Sequence, residues 1–82
     1  MIVSYSSLTE KQLSKLPRSE YKKVSRKIKL LSADPYLGKK LIGELNALFS
    51  LKAWPYRIIY QIAKKEGIVL ILKVEHRQGV YK

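Results

Sequence analysis

The apolar positions of this chain keep one period in the first half and another in the second. Ile2-Val3-Ser4-Tyr5 alternates weakly, as a short strand does. Ser6, Ser7 and Thr9 then offer oxygens that can cap a first helix reaching about Leu16, with Leu8, Leu13 and Leu16 as its apolar positions. Pro17 breaks that helix and, because a first helical turn tolerates a missing amide proton, can open a second one from about Arg18 to Ala33. There Tyr21, Val24, Ile28 and Leu31 keep the i, i+3, i+7, i+10 spacing of one buried stripe. On another face Lys22, Arg26 and Lys29 recur at i, i+4, i+7, with Lys23 and Lys27 alongside. Asp34-Pro35 ends the helix, since the residue before a proline is pushed out of the helical region.

After a loop carrying Gly38, Lys39 and Lys40 the period becomes 2. Ala47 to Trp54 sets Ala47, Phe49, Leu51 and Ala53 on one side and Ser50 and Lys52 on the other. Trp54-Pro55 reads as a turn. Tyr56 to Ala63 sets Tyr56, Ile58, Tyr60 and Ile62 against Arg57, Ile59 and Gln61, and Lys65-Glu66-Gly67 supplies the next hairpin turn. Ile68 to Val74 is rich enough in branched residues to be a central strand buried on both faces. The expectation is an α+β fold in one domain over residues 1–82: an antiparallel sheet with an N-terminal helical hairpin packed on one face, in the order β-α-α-β-β-β.

Composition narrows the function. The 82 residues carry 17 Lys and Arg against 6 Asp and Glu, a net charge of +11 with His76 neutral. At 46% hydrophobic the chain is too apolar to be a disordered basic tail, so a folded surface carries the charge. A polyanion is the natural partner, nucleic acid first, because Lys and Arg neutralise phosphates and release counterions without reading sequence. A merely solubilising surface and an acidic protein partner are the alternatives. With no cysteine there is no disulfide, thiolate metal site or thiol nucleophile, and one histidine argues against zinc, so neither metal nor cofactor is expected. The longest apolar run, Ile68 to Leu72, is far below the ~20 residues that span a bilayer. The start reads as a strand rather than a signal peptide, and the expectation is a cytoplasmic protein with no membrane partner.

If one face of the sheet packs on the helices, the other presents Ser50, Lys52, Arg57, Gln61 and Lys73. Like charges on adjacent strands repel at a cost of roughly 0.2–1 kcal/mol per close pair, and phosphate binding is the simplest compensating gain. The last segment, from Glu75 to Lys82, adds the donors and transferable protons of His76, Arg77 and Tyr81.

Asp34-Pro35 with Gly38-Lys39-Lys40-Leu41, Leu48-Phe49-Ser50-Leu51-Lys52, Tyr56-Arg57-Ile58-Ile59-Tyr60, Val74-Glu75-His76-Arg77 and Val80-Tyr81 form an ordered set that spans nearly the whole chain. That set resembles the RelE/ParE superfamily of type II toxins. The resemblance implies a toxin paired with a cognate antitoxin that wraps it and blocks its basic surface, and contact with operator DNA only through that complex. For the RelE-like members it implies metal-independent cleavage of messenger RNA, commonly in the ribosomal A site, by attack of the 2′-hydroxyl on the adjacent phosphate. By position in those motifs, Lys52, Arg57, Arg77 and Tyr81 match the basic and tyrosine positions of the family. Ser50 departs where some active members carry a second lysine, and His76 stands where some carry lysine. The alternatives within the resemblance are a ParE-like inhibitor of DNA gyrase and a catalytically impaired co-repressor that binds the antitoxin.

The residue types suit in-line phosphoryl transfer. Fixed guanidinium and ammonium groups stabilise the charge that develops on phosphate oxygens, and Arg57 and Arg77 are the best clamps. No carboxylate is conspicuous on this face, so the proton acceptor is sought among Lys52, Tyr81 and His76. Lys52 is favoured, and His76, an imidazole, is held in reserve as acid or base. Tyr81 can instead stack on a base. The charge thus divides into a helical share at Lys22, Lys23, Arg26, Lys27 and Lys29, assigned to long-range attraction toward ribosomal RNA, and a sheet share at Lys52, Arg57, Lys73 and Arg77. Within the second, Lys73 is expected to contact RNA rather than take part in the reaction.

Overall fold

The computed structural model describes residues 1–42 and 47–77. Its elements are β1 (Ile2–Tyr5), α1 (Ser7–Ser14), α2 (Arg18–Ala33), β2 (Lys39–Ile42), β3 (Leu48–Ala53), β4 (Tyr56–Ala63) and β5 (Ile68–His76). The helical hairpin on a sheet is as expected, but the sheet has five strands in the order β1-β5-β4-β3-β2. Two corrections follow. Lys39–Ile42, expected as loop, is an edge strand antiparallel to β3, and its bulge between Lys40 and Ile42 explains why it carries no period-2 signature. β1 joins β5 in parallel, so the sheet is mixed rather than a pure meander. The central strand is β4, and β5, expected to be central and buried on both faces, buries only Val69, Ile71 and Val74, because among the described residues no second layer covers its other face.

The register of β4 on β5 shifts between Ile59, opposite Lys73, and Tyr60, opposite Ile71, which leaves Leu72 as an extra residue. That bulge lets Ile71 and Val74, three apart, face the same core. It also governs α1. β1 ends at Tyr5, opposite Ile71, so the edge of β5 beyond that point has no strand beside it. α1 supplies the missing partners: Thr9 Oγ1 donates to the Ile71 carbonyl at 2.9 Å, Ser6 Oγ to the Leu72 carbonyl at 2.7 Å, and the Val74 amide donates to Gln12 Oε1 at 2.7 Å. Ser6 also caps α1 by accepting from the Thr9 amide at 3.0 Å. The buried residue on the first turn of α1 is therefore Thr9, while Leu8, expected in the core, is 49% exposed. Gln12→Ala should lower stability by about 1–3 kcal/mol, the cost of an unpaired buried amide. Thermal unfolding would register this as a fall of at least about 4 °C, and an unchanged midpoint would refute it.

Along α2, Val24, Ile28 and Leu31 are fully buried. Tyr21 is not: it stands at the margin of the stripe, exposed, in a shallow groove shared with Tyr5, Leu13 and Ser25. Across the sheet Tyr60 is fully buried and stacks on Phe49, with ring centroids 5.3 Å apart. Its hydroxyl donates to the Pro35 carbonyl at 2.8 Å and accepts from the Gly38 amide at 2.9 Å, tying the α2–β2 connection over the core. Burial holds this phenol above the ordinary tyrosine value, with the Gly38 amide pulling the other way, so the proton it donates stays in place. Among the described residues no helix is long and apolar enough to cross a membrane.

Candidate functional site

Two rows of side chains cross the sheet on the face away from the helices. Ladder register aligns Lys39, Ser50, Ile59 and Lys73 in one row and Lys52, Arg57 and Glu75 in the next. β2 begins at Lys39, opposite Ser50, so β3 runs past it at Leu51 and Lys52. A cavity of about 570 Å³ opens there, and Lys27 of α2, Lys39, Lys52 and Arg57 line it together with Gly38 and Ser50. Among the described residues no carboxylate belongs to its lining. Lys27, assigned from sequence to a separate helical face, thus joins the sheet cations. Four positive charges around one concavity hold a local field suited to phosphate.

No carboxylate is expected on this face, yet Glu75 lies there, opposite Arg57. Its carboxylate is engaged by Lys73 Nζ at 3.0 Å. Lys73 is therefore neutralised by a neighbour, and Arg57, exposed, has no ion pair among the described residues. Period 2 continued from Lys73 would have found Glu75 had the strand been extended past Val74.

The end of the β3–β4 hairpin is fastened from three directions. The cis Trp54–Pro55 turn receives Lys23 Nζ on the Trp54 carbonyl at 2.9 Å and the Arg77 amide on the Pro55 carbonyl at 2.7 Å. The Arg77 guanidinium lies 4.7 Å from the centroid of the Trp54 ring, within cation–π distance. Lys23 also pairs with Glu20 at 3.2 Å. Glu20 in turn bonds Tyr56, whose phenol is held above its ordinary value by burial first and by that carboxylate second. Lys23 is thus a structural tie.

His76 pairs in register with Tyr56 on the helix side of the sheet, and the two rings meet edge to face at 5.3 Å. It does not line the cavity that holds Lys52 and Arg57. Of the helical cations, Lys22, Arg26 and Lys29 surround a separate, shallower depression with Tyr21 and Ser25. Tyr81 lies outside the described residues. Sequence reasoning missed Lys39 as a site residue, since it was read as loop, and missed Trp54, whose exposure no pattern encodes.

The family described as the ParE toxin of type II toxin-antitoxin systems, parDE, matches residues 3–81. Toxin RelG of Mycobacterium tuberculosis is 40% identical over 53 residues, which are 63% of this chain and 61% of that protein, so the match spans less than two thirds of the relative. Among solved structures, the RelBE2 toxin–antitoxin complex of the same organism superposes with a TM-score of 0.80 at 33% identity, covering 93% of this chain and 96% of that one. The archaeal RelE–RelB complex of Pyrococcus horikoshii gives 0.81 at 26% identity, with 93% of each chain covered. The isolated Escherichia coli RelE toxin gives 0.78 at 19% identity, over 92% of this chain and 82% of that one, a likeness of fold. With the family match running almost end to end and the fold superposing on a relative of 33% identity over nearly all of both chains, this chain belongs to the ParE toxin family of type II toxin–antitoxin systems, within the RelE/ParE superfamily.

Proposed function

We propose that this toxin is an endoribonuclease that cleaves messenger RNA at the ribosomal A site and is held inactive by a cognate antitoxin. The observation that carries this reading is the cavity where Lys27, Lys39, Lys52 and Arg57 converge, with no carboxylate among the described residues of its lining. In the reaction the 2′-oxygen bonds to phosphorus as the bond to the 5′-oxygen breaks. The 2′ proton passes to a base and a proton reaches the leaving oxygen, giving a 2′,3′-cyclic phosphate and a free 5′-hydroxyl. Arg57 takes the nonbridging oxygens, because its guanidinium fork binds two at once and no ion pair among the described residues engages it. Lys52, in register with Arg57, is our assignment for the proton acceptor. Arg77 approaches from the end of the hairpin, and Tyr81 is assigned by resemblance alone. His76 faces Tyr56 and has no part in this assignment.

Ser50, the departure from some active members, is compensated in this reading by Lys39, which stands opposite it in register and brings an ammonium to the same cavity wall. Induction of the toxin without antitoxin should arrest growth and produce new 5′ ends on a translated message by primer extension. Growth arrest without new ends would overturn the reading. Membership of the ParE toxin family favours a second one, the inhibition of DNA gyrase that the ParE resemblance implies, in which a supercoiling assay responds where RNA does not. A catalytically impaired co-repressor, reaching operator DNA only through the antitoxin, would give neither response.

Lys22 and Lys29, beside the shallower depression, serve attraction toward ribosomal RNA. Changing both to Gln should weaken association and flatten the slope of log K against log salt by about 1.4, the value for two phosphate contacts on a single strand. Single-turnover cleavage should stay within twofold of the parent.

A further inference from the structure

Trp54 is 65% exposed, the most exposed aromatic side chain among the large hydrophobics of the described residues, and the chain's one tryptophan. A large apolar ring left in solvent ordinarily costs more than a polar turn residue, and two of the three fastenings use only the carbonyls of Trp54 and Pro55, so the indole serves the turn through its contact with Arg77 alone. The stacked guanidinium restrains the indole. Arg77 covers one face at 4.7 Å, and exposure of this size leaves the other open. The ring stands at the turn between β3 and β4, two residues from Lys52 and three from Arg57, with Arg77 against it. A fixed, open π-face beside a row of cations has the composition of a single-strand nucleic-acid site, in which bases stack on aromatics while Lys and Arg follow the backbone.

We propose that Trp54 is a stacking platform for one unpaired nucleobase of the RNA, next to the phosphate held by Arg57, with Arg77 keeping the ring in place and contacting the adjoining phosphate. This rests on RNA being the substrate, but concerns binding of the base rather than cleavage. A charged RNA strand is favoured over a protein ligand because Arg77 lies on the ring, Lys52 and Arg57 pair in register on the strands that the turn joins, and Glu75, the carboxylate in the rows, is already occupied by Lys73.

As the single tryptophan, Trp54 reports on its own surroundings. Titration of the purified chain with a short 2′-O-methyl RNA, which binds but cannot be cleaved, should quench its fluorescence. The same oligonucleotide made abasic throughout keeps its phosphates and should bind without quenching. With labelled RNA and fluorescence anisotropy, Trp54→Phe should bind within about threefold of the parent, whereas Trp54→Leu, which keeps apolar bulk and loses the π-face, should bind about tenfold or more weakly. Equal quenching by the abasic strand, or equal affinity for Trp54→Leu, would overturn the proposal. So would quenching by an antitoxin peptide in the absence of any quenching by RNA. Because the oligonucleotide is not cleavable, base stacking without message cleavage would discard the ribonuclease reading and keep this one. Cleavage by a Trp54→Leu chain of unchanged RNA affinity would do the reverse.

Discussion

Arg57→Ala should abolish growth arrest on induction and lower message cleavage by about 10²–10³-fold, the usual effect of removing one fixed donor to a developing oxyanion. The size is expected because Arg57 is the cation of the cavity with a planar fork, and because Lys73 rather than Arg57 takes the Glu75 carboxylate. Arg57→Lys should recover little, since an ammonium restores charge without bidentate geometry. Stability is a clean control here. Arg57 is exposed and has no ion pair among the described residues, so the thermal midpoint should move by no more than a few degrees. Quantified 5′ ends per unit of folded protein make the measurement, and cleavage above a tenth of the parent would remove Arg57 from the reaction.

Gly38→Ala is expected to have the largest effect on stability. A β-carbon there would lie 2.7 Å from Tyr60 Oη and 2.8 Å from the Ser50 carbonyl oxygen, and neither can withdraw cheaply. Tyr60 is fully buried with its hydroxyl bonded on both sides, and the Ser50 carbonyl is strand backbone. Overpacking of about 1–3 kcal/mol adds to about 1 kcal/mol for the strained amide–hydroxyl bond, so a loss of about 2–4 kcal/mol is expected in chemical denaturation. Cleavage should fall as well, because Gly38 lines the cavity and precedes Lys39. Gly67 is the contrast. It has open space around it and a positive φ of 69°, so Gly67→Ala should cost only about 1 kcal/mol of backbone strain and leave cleavage unchanged.

What the sequence made legible follows from how strongly each element is patterned. Val24, Ile28 and Leu31 report a helix over Arg18–Ala33 because a buried stripe and a following proline act together. The alternation of β3 and β4 puts Lys52 and Arg57 on one face, and the register agrees. Where a residue answers to something outside its own element, the pattern fails. Thr9 is buried because of carbonyls sixty residues away on β5, and no local rule ranks a threonine above Leu8 for the core. Lys39–Ile42 forms a strand by pairing with β3 despite two lysines at its start. Lys27 belongs to the cavity because α2 passes near the end of β2, a relation set by packing.

The extra residue at Leu72 divides β5 into two stretches with opposite phase. Upstream, odd-numbered side chains, Val69 and Ile71, point to the helices. Downstream, even-numbered ones do, which frees Lys73 and Glu75 for the solvent side. One strand thus serves as core scaffold in its first half and carries a surface ion pair in its second, with the inversion located at a single peptide unit. Chain length at that point is consequently a tighter constraint than residue type. Many apolar side chains could fill Leu72, whereas a deletion there would restore plain alternation, with Lys73 and Glu75 still outward and Val74 inward, and would take away the carbonyl to which Ser6 Oγ donates.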